Sequence, residues 1–268
     1  MNVNGKVFVV TGGGSGIGRE VVLLLLKKGA RVAALDMNEN TLKETAALAG
    51  SLKNKMSTHV VNITDRVMVD QLPEAVIAAH GAVDGLINVA GIIQKFVVFK
   101  DLSMADVEKV MNVNFYGPLN MTKAFLPYLL KRPQANIVNV SSMGAYAPVP
   151  GQTIYGASKA ALKLFTEGLN SELMGTNVRV TTVFPGATNT NIAANSGVTA
   201  TAEQSGNAPK IKMTSAVIAG AEIVKGIEKD AYHVFIGSDA KMMDFLSRLM
   251  PKKAAEIIYK QMASLLPK

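Results

Sequence analysis

Short apolar runs rich in valine and isoleucine alternate along this chain with longer stretches in which apolar positions recur every three or four residues. The short runs, at 6–10, 31–35, 58–61, 85–88, 136–140, 179–184 and 233–236, have the length and β-branched content of strands. The stretches between them, such as 16–28, 41–52 and 67–79, carry the helical period. Parallel strands need a crossover to bring the chain back, and a helix supplies it. The alternation therefore predicts a doubly wound α/β fold, a parallel sheet of about seven strands with helices on both faces. Ligands bind such sheets beyond the carboxyl ends of the strands, so functional residues belong where the strand runs stop.

No Pro/Ser/Gly-rich linker divides the 268 residues, which predicts one domain over 1–268. The absence of cysteine excludes disulfide scaffolds, thiolate metal sites and cysteine nucleophiles. His59, His80 and His233 fit no metal-ligand spacing, and no metal is expected. The first residues, "MNVNGKVFVVTGGG", run directly into a strand without the zones of a signal peptide. The longest aliphatic run, "VVLLLL", is far below the roughly 20 residues that span a bilayer. A cytoplasmic protein is expected. The net charge of +8 suits an anionic small molecule, an anionic membrane surface or nucleic acid. No helix-turn-helix, zinc-finger or aromatic RNA-binding signature accompanies it, so no nucleic-acid partner is expected.

"TGGGSGIG", residues 11–18, follows the first strand and opens the first helix. Glycine lets the backbone turn tightly there, and the free N–H groups of a helix start favour an anion. The same composition also serves an ordinary strand-to-helix turn. Arg19-Glu20 follows Gly18 where the phosphate loop of an ATPase needs Lys-Ser/Thr, which removes that reading. The second strand ends in Asp36, whose carboxylate can accept from ribose hydroxyls or cap the next helix. A 2′-phosphate beside it would meet a repulsion of about 4 kcal/mol per charge pair at roughly 4 Å and an effective dielectric near ~20. Met37 follows Asp36 and the loop holds no cation before Arg19, so NAD is expected rather than NADP.

With "TGGGSGIG" at the start, "NVAG" at 88–91 and "YGASK" at 155–159, the chain resembles the short-chain dehydrogenase/reductase superfamily over about 6–192. The resemblance implies a Rossmann-type dinucleotide fold and hydride transfer between NAD and a secondary alcohol or ketone. Carried over by position, Gly12, Gly14, Ser15, Gly16, Ile17 and Gly18 form the dinucleotide loop, and Asp36 with Met37 meets the adenosine ribose. Asn62 stands where the family usually has an aspartate on adenine, with Ile63 behind it, and its amide oxygen can still accept from the exocyclic amine. Asn88, Ala90 and Gly91 border the cofactor, Pro185 and Gly186 match the P-G turn, and Thr188 and Thr190 meet the carboxamide. Asn114, Ser142, Tyr155 and Lys159 match the catalytic set; Ser141 is the adjacent serine, told apart from Ser142 only by spacing. Tyr155 and Lys159 lie four apart on one helix face. In this reading the ammonium, together with the charge of the oxidised nicotinamide, lowers the phenol from its ordinary pKa of about 10, Lys159 also holds the nicotinamide ribose, and Asn114 positions a proton-relaying water.

Beyond Ile192 the sequence is less informative. The small, polar stretch within about 191–213 reads as a substrate lid or a plain surface connection. The tail over about 239–268 has an apolar stripe and scattered lysines. Core or subunit packing, a pocket wall and an interfacial helix all remain open for it. Ile92, Gln94, Ser142, Met143, Tyr146, Val149 and Ile192, on loops after strands, are the expected substrate contacts, and their apolar bias suggests a steroid, fatty-acyl or aromatic compound. A homodimer or homotetramer is expected. A catalytically idle dinucleotide-binding regulator is the alternative that the glycine loop and Asp36 alone would satisfy.

Overall fold

Val7–Thr11 (β1), buried at every position, lies at the middle of a seven-stranded sheet in the computed structural model, which describes residues 1–198, 213–263 and 266. Gly16–Lys27 (α1), Arg31–Asp36 (β2), Glu39–Leu48 (α2), Met56–Val60 (β3) and Arg66–His80 (α3) form one half, and Gly85–Asn88 (β4) begins the other. Met104–Met111 (α4), Gly117–Leu129 (α5), Ala135–Val140 (β5), Thr153–Glu172 (α6) and Val178–Pro185 (β6) follow. Two short strands, Thr188–Asn189 (β7) and Thr214–Ser215 (β8), pair with each other, with Ile192–Asn195 (α7) after the first of them. Ala216–Glu228 (α8), His233–Ile236 (β9), Ser238–Leu249 (α9) and Pro251–Met262 (α10) complete the described elements.

The sheet order is β3-β2-β1-β4-β5-β6-β9 and every pairing is parallel. The two halves diverge between β1 and β4, which opens a crevice at the carboxyl ends of those strands. Successive side chains of a strand face opposite ways, and β1 uses both faces: Phe8 and Val10 pack with Leu25 of α1 and Ile223 of α8, Val7 and Val9 with Val76 of α3 and Phe125 of α5. Two cores therefore sandwich the sheet, as the doubly wound pattern predicts.

Two elements differ from the sequence reading by two residues or more. The segment 41–52 is not one helix: Asn38 caps α2 early, accepting from the Asn40 and Thr41 N–H groups, and Gly50, at φ +56°, hands the chain to a 3₁₀ turn. The edge strand β3 starts at Met56 rather than 58, because pairing with β2 decides its extent and its half-exposed residues give a weak apolar signal.

Candidate active site

Gly12 leaves β1 at φ +69°, and a Cβ there would stand 3.0 Å from the backbone of Ala90. A Cβ on Gly18 would overlap the Gly12 carbonyl, so α1 starts hard against the loop that precedes it. Thr11 joins the two sides of the crevice, its Oγ1 accepting from the N–H groups of Val89 (3.0 Å) and Ala90 (3.1 Å). At the other end of the loop, Gly14 N–H donates to Asp36 Oδ2 at 3.0 Å, and Asn38 N–H donates to Oδ1 at 3.1 Å. Arg19 gives its guanidinium to the Gly14 carbonyl and to Glu44. Ser15, the N-cap of α1, accepts from Asn195 Nδ2 at 3.0 Å, while Ile17 turns its side chain toward the core.

The catalytic candidates converge where β4 and β5 end. Ser142 begins the turn after β5, its Oγ accepting from Gly144 N–H at 3.0 Å. A Cβ on Gly144 would lie 3.3 Å from the Tyr155 ring and 3.4 Å from Ser142 Oγ, so glycine gives phenol and hydroxyl room side by side. Burial pushes the Tyr155 phenol above its ordinary pKa, and a hydrogen bond with Ser142 opposes that shift. Lys159, 3% exposed, donates Nζ to the Val140 carbonyl at 2.9 Å, and burial pulls its pKa down to about 8. Burial governs both residues, and the ammonium is turned to β5. Ser141 is the structural neighbour, donating to the Lys159 carbonyl at 2.8 Å.

Asn114 lies fully buried in a π turn, Asn112–Tyr116, between α4 and α5. Its Oδ1 accepts from Ile92 N–H (2.9 Å), and its Nδ2 donates to the Ile92 carbonyl (2.9 Å) and to Ser158 Oγ (3.1 Å). Ser158 in turn donates to the Tyr155 carbonyl. A Cβ on Gly91 would be 3.2 Å from both Asn114 Oδ1 and Lys159 Nζ, which places those two groups around one glycine. Both amide hydrogens are donated to protein partners, while Oδ1, with one acceptor position beyond Ile92 N–H, and the backbone of the widened turn can meet a water.

Several cofactor expectations shift in detail. Asn62 Oδ1 is engaged by the N–H and the hydroxyl of Thr64, so the group left for a ligand is its amide nitrogen, not the oxygen. Ile63 is buried in the core beneath Gly117 and offers only backbone. Asn88 faces into the sheet, donating to Asn139 Oδ1 at 2.8 Å, because both neighbouring strands are buried there. Met37 is 74% exposed beside Asp36. Pro185 ends β6, Gly186 abuts the Asp239 carboxylate, and Thr188 donates to the Gly186 carbonyl at 3.1 Å. Thr190 comes within reach of the glycine loop, 3.5 Å from where a Gly16 Cβ would be.

The sequence pattern described as short chain dehydrogenase matches residues 6–200. The chain belongs to the short-chain dehydrogenases. It is 35% identical over 269 residues to a Mycobacterium tuberculosis protein named "Putative oxidoreductase SadH", across 98% of this chain and 97% of that one. A solved short-chain dehydrogenase/reductase from Burkholderia phymatum in complex with NAD superimposes with a TM-score of 0.83, at 23% identity, over 93% of this chain and 96% of that one. Another, from Burkholderia cenocepacia in complex with NADP, gives 0.80 at 26% identity over 96% and 99%. The crevice fits the nicotinamide dinucleotide of this oxidoreductase family: the Gly12 cradle, the start of α1 and the Asp36 carboxylate succeed one another along it.

The expected substrate residues divide. Met143, Tyr146 and Val149 pack with Met243 and Leu246 of α9 and Ile258 of α10, and the Tyr146 hydroxyl donates to the Ala240 carbonyl at 2.8 Å. The tail's buried stripe is thus packed on the segment that follows Ser142, while Met242, Phe245 and Leu249 of α9 remain exposed. Ile92 and Ile192 stay partly exposed. Gln94 departs from its expected role: it is 2% exposed and turned to the start of α6, where its side chain finds three backbone partners. Most of the proposed lid, 199–212, and the tail residues 264, 265, 267 and 268 lie outside the described residues.

Sequence reasoning missed two ties made by α7 and one by α9. Asn195 reaches Ser15, and Ser196 Oγ accepts from Ile93 N–H at 3.0 Å, so α7 bridges both sides of the crevice. Asp239 accepts from Ala187 N–H at 2.8 Å and occupies a notch that only Gly186 and Gly237 leave open. Among the described residues no helix is long and apolar enough to cross a membrane.

Proposed function

We propose that this chain is an NAD-linked dehydrogenase or reductase interconverting a secondary alcohol and a ketone on an apolar substrate. The observation that carries the reading is the meeting of Ser142, Tyr155, Lys159 and Asn114 at the strand ends that flank the crevice. When bound, the dinucleotide supplies the hydride acceptor or donor. Gly12, Gly14, Ser15 and Gly16 would hold its pyrophosphate, Asp36 the adenosine ribose, Asn62 and Met37 the adenine edge, and Thr188 and Thr190 the carboxamide. Asp36 argues for NAD over NADP, because the nearby cation, Arg19, is already committed to Glu44 and the Gly14 carbonyl.

In the reaction Tyr155 takes the hydroxyl proton from an alcohol, or gives one to a ketone, and Ser142 donates a hydrogen bond to the substrate oxygen as charge develops there. Lys159 places its ammonium beside the sheet end and sustains proton exchange with solvent through the widened turn at Asn114. Met143, Tyr146 and Val149, backed by α9 and α10, form the apolar side of the substrate space and favour a hydrophobic alcohol.

The test is a panel of secondary alcohols with NAD and with NADP, run beside Tyr155→Phe. Expected are NAD-linked turnover, at least about a hundredfold loss of kcat in the variant, and dinucleotide affinity unchanged. Activity retained by Tyr155→Phe rejects the phenol as acid/base; dinucleotide binding without turnover of any panel member points to a regulatory protein instead.

A further inference from the structure

The loop after β4 carries a buried glutamine for which the chemistry above has no use. Every polar atom of the Gln94 side chain is engaged: Oε1 accepts from the N–H groups of Ile154 (2.8 Å) and Tyr155 (3.0 Å), and Nε2 donates to the Gly151 carbonyl (2.9 Å). The Gln94 carbonyl accepts from Gln152 Nε2 at 2.8 Å. Helix α6 begins at Thr153, so Ile154 and Tyr155 are its second and third residues, the positions whose N–H groups a cap side chain ordinarily receives. The residue at the cap position, Gln152, makes no such bond. A side chain 60 residues earlier in the chain does it instead.

The bond is not an ordinary cap in its consequences. A local Ser or Asp fixes only its own helix, whereas Gln94 fixes the first turn of α6 relative to the loop after β4. That loop also carries Ala90 against Gly12, Gly91 against Lys159, and Ile92 bonded to Asn114. Its residues thus contact the dinucleotide side and the catalytic side of the crevice at once.

We propose that Gln94 is a positioning residue for Tyr155, setting where the phenol stands relative to Ser142 and the crevice; the inference rests on the reading of Tyr155 as the acid/base. Gln94→Leu keeps the approximate volume and removes both the acceptor and the donor. Its expected effects are faster amide hydrogen exchange at Ile154 and Tyr155, a kcat lower by about 10- to 100-fold, and a Kd for NAD within about threefold of wild type. Gln94→Glu separates positioning from packing. As a neutral acid it can still accept from the two N–H groups and offer an O–H to Gly151; as a carboxylate it faces that carbonyl with no proton. Its kcat should approach wild type at the acid end and fall as the introduced carboxyl ionises, a limb that the wild-type profile lacks.

A Gln94→Leu protein with a lower melting temperature and unchanged kcat overturns the proposal. So does a Gln94→Glu profile that superimposes on wild type, which decides the matter if the leucine variant does not fold. If the wild type turns over no alcohol in the panel, it is the reaction assignment that fails, and amide exchange alone then tests Gln94: unaltered exchange at Ile154 and Tyr155 in either variant rejects it.

Discussion

Lys159 carries a consequence for stability as well as for chemistry. Its amine is held down to about 8 by burial in the folded chain and returns to about 10.4 on unfolding. Below about 8 it is charged in both states, and the folded protein carries the full cost of burying it. Between those values the unfolded chain binds a proton that the folded chain has released, so this group's contribution to unfolding free energy rises with pH, by about 3 kcal/mol across the window. Urea midpoints of wild type and Lys159→Met at pH near ~7 and ~9.5 should show wild type gaining on the variant at the higher pH. Tyr155 shifts the other way, held in its neutral form by burial. Alcohol oxidation draws on the scarce phenolate and should gain in kcat/KM with rising pH, whereas ketone reduction draws on the abundant phenol and should not; parallel profiles in the two directions would contradict this. That Tyr155, Lys159 and Ser142 meet at one strand end was legible through the resemblance to the short-chain dehydrogenases, which carries their spacing along the chain. The role of Gln94 was not, since its partners lie far along the chain and its neighbours Ile93 and Lys95 belong to no motif.

At the scale of elements, the turn after β6 is held from outside. Asp239, near the start of α9, receives the Ala187 N–H, with Gly186 and Gly237 clearing space for its carboxylate. Asp239→Ala leaves that N–H without its partner and loosens the Thr188 to Thr190 segment. The expected result by calorimetry is a Kd for NAD weaker by about tenfold, corresponding to the ~1.4 kcal/mol range of one lost hydrogen bond, with helix content unchanged. An unaltered Kd would remove Asp239 from the site. The seven strands of the large sheet followed from apolar runs that both sheet faces demand, whereas hydrophobicity does not report their order, which the pairing alone shows. The end of α2 and the start of β3 escaped because a glycine conformation and edge pairing, not side-chain burial, decide them.

Across the whole molecule, the tail joins the dehydrogenase core through a small cluster of its own rather than through the sheet. Met243, Ala254 and Ile258 are buried against Ala147, with Met143, Tyr146 and Val149 at the border. Ile258→Asp would place a charge in that cluster and lift α9 and α10 from the segment after Ser142. Turnover of long apolar alcohols should fall by at least about tenfold while small alcohols and NAD affinity change less than about threefold; equal losses for all substrates would mean that the hairpin supports the fold at large. The sequence favoured core or subunit packing for this tail and kept a pocket wall and an interfacial helix beside it, because an apolar helical stripe reports that something is covered and not what covers it. The π turn at Asn112–Tyr116 has a consequence for how α4 and α5 are joined. It amounts to one surplus residue spliced into what would otherwise be a regular helix. Deleting Val113 would heal the winding and leave the two flanks close to their present phase, while re-aiming the residues within the turn and carrying Asn114 away from Ile92 and Ser158. Such a shortened chain should keep its helical circular dichroism and lose its turnover; turnover that survived the deletion would leave the wide turn without a part in the reaction.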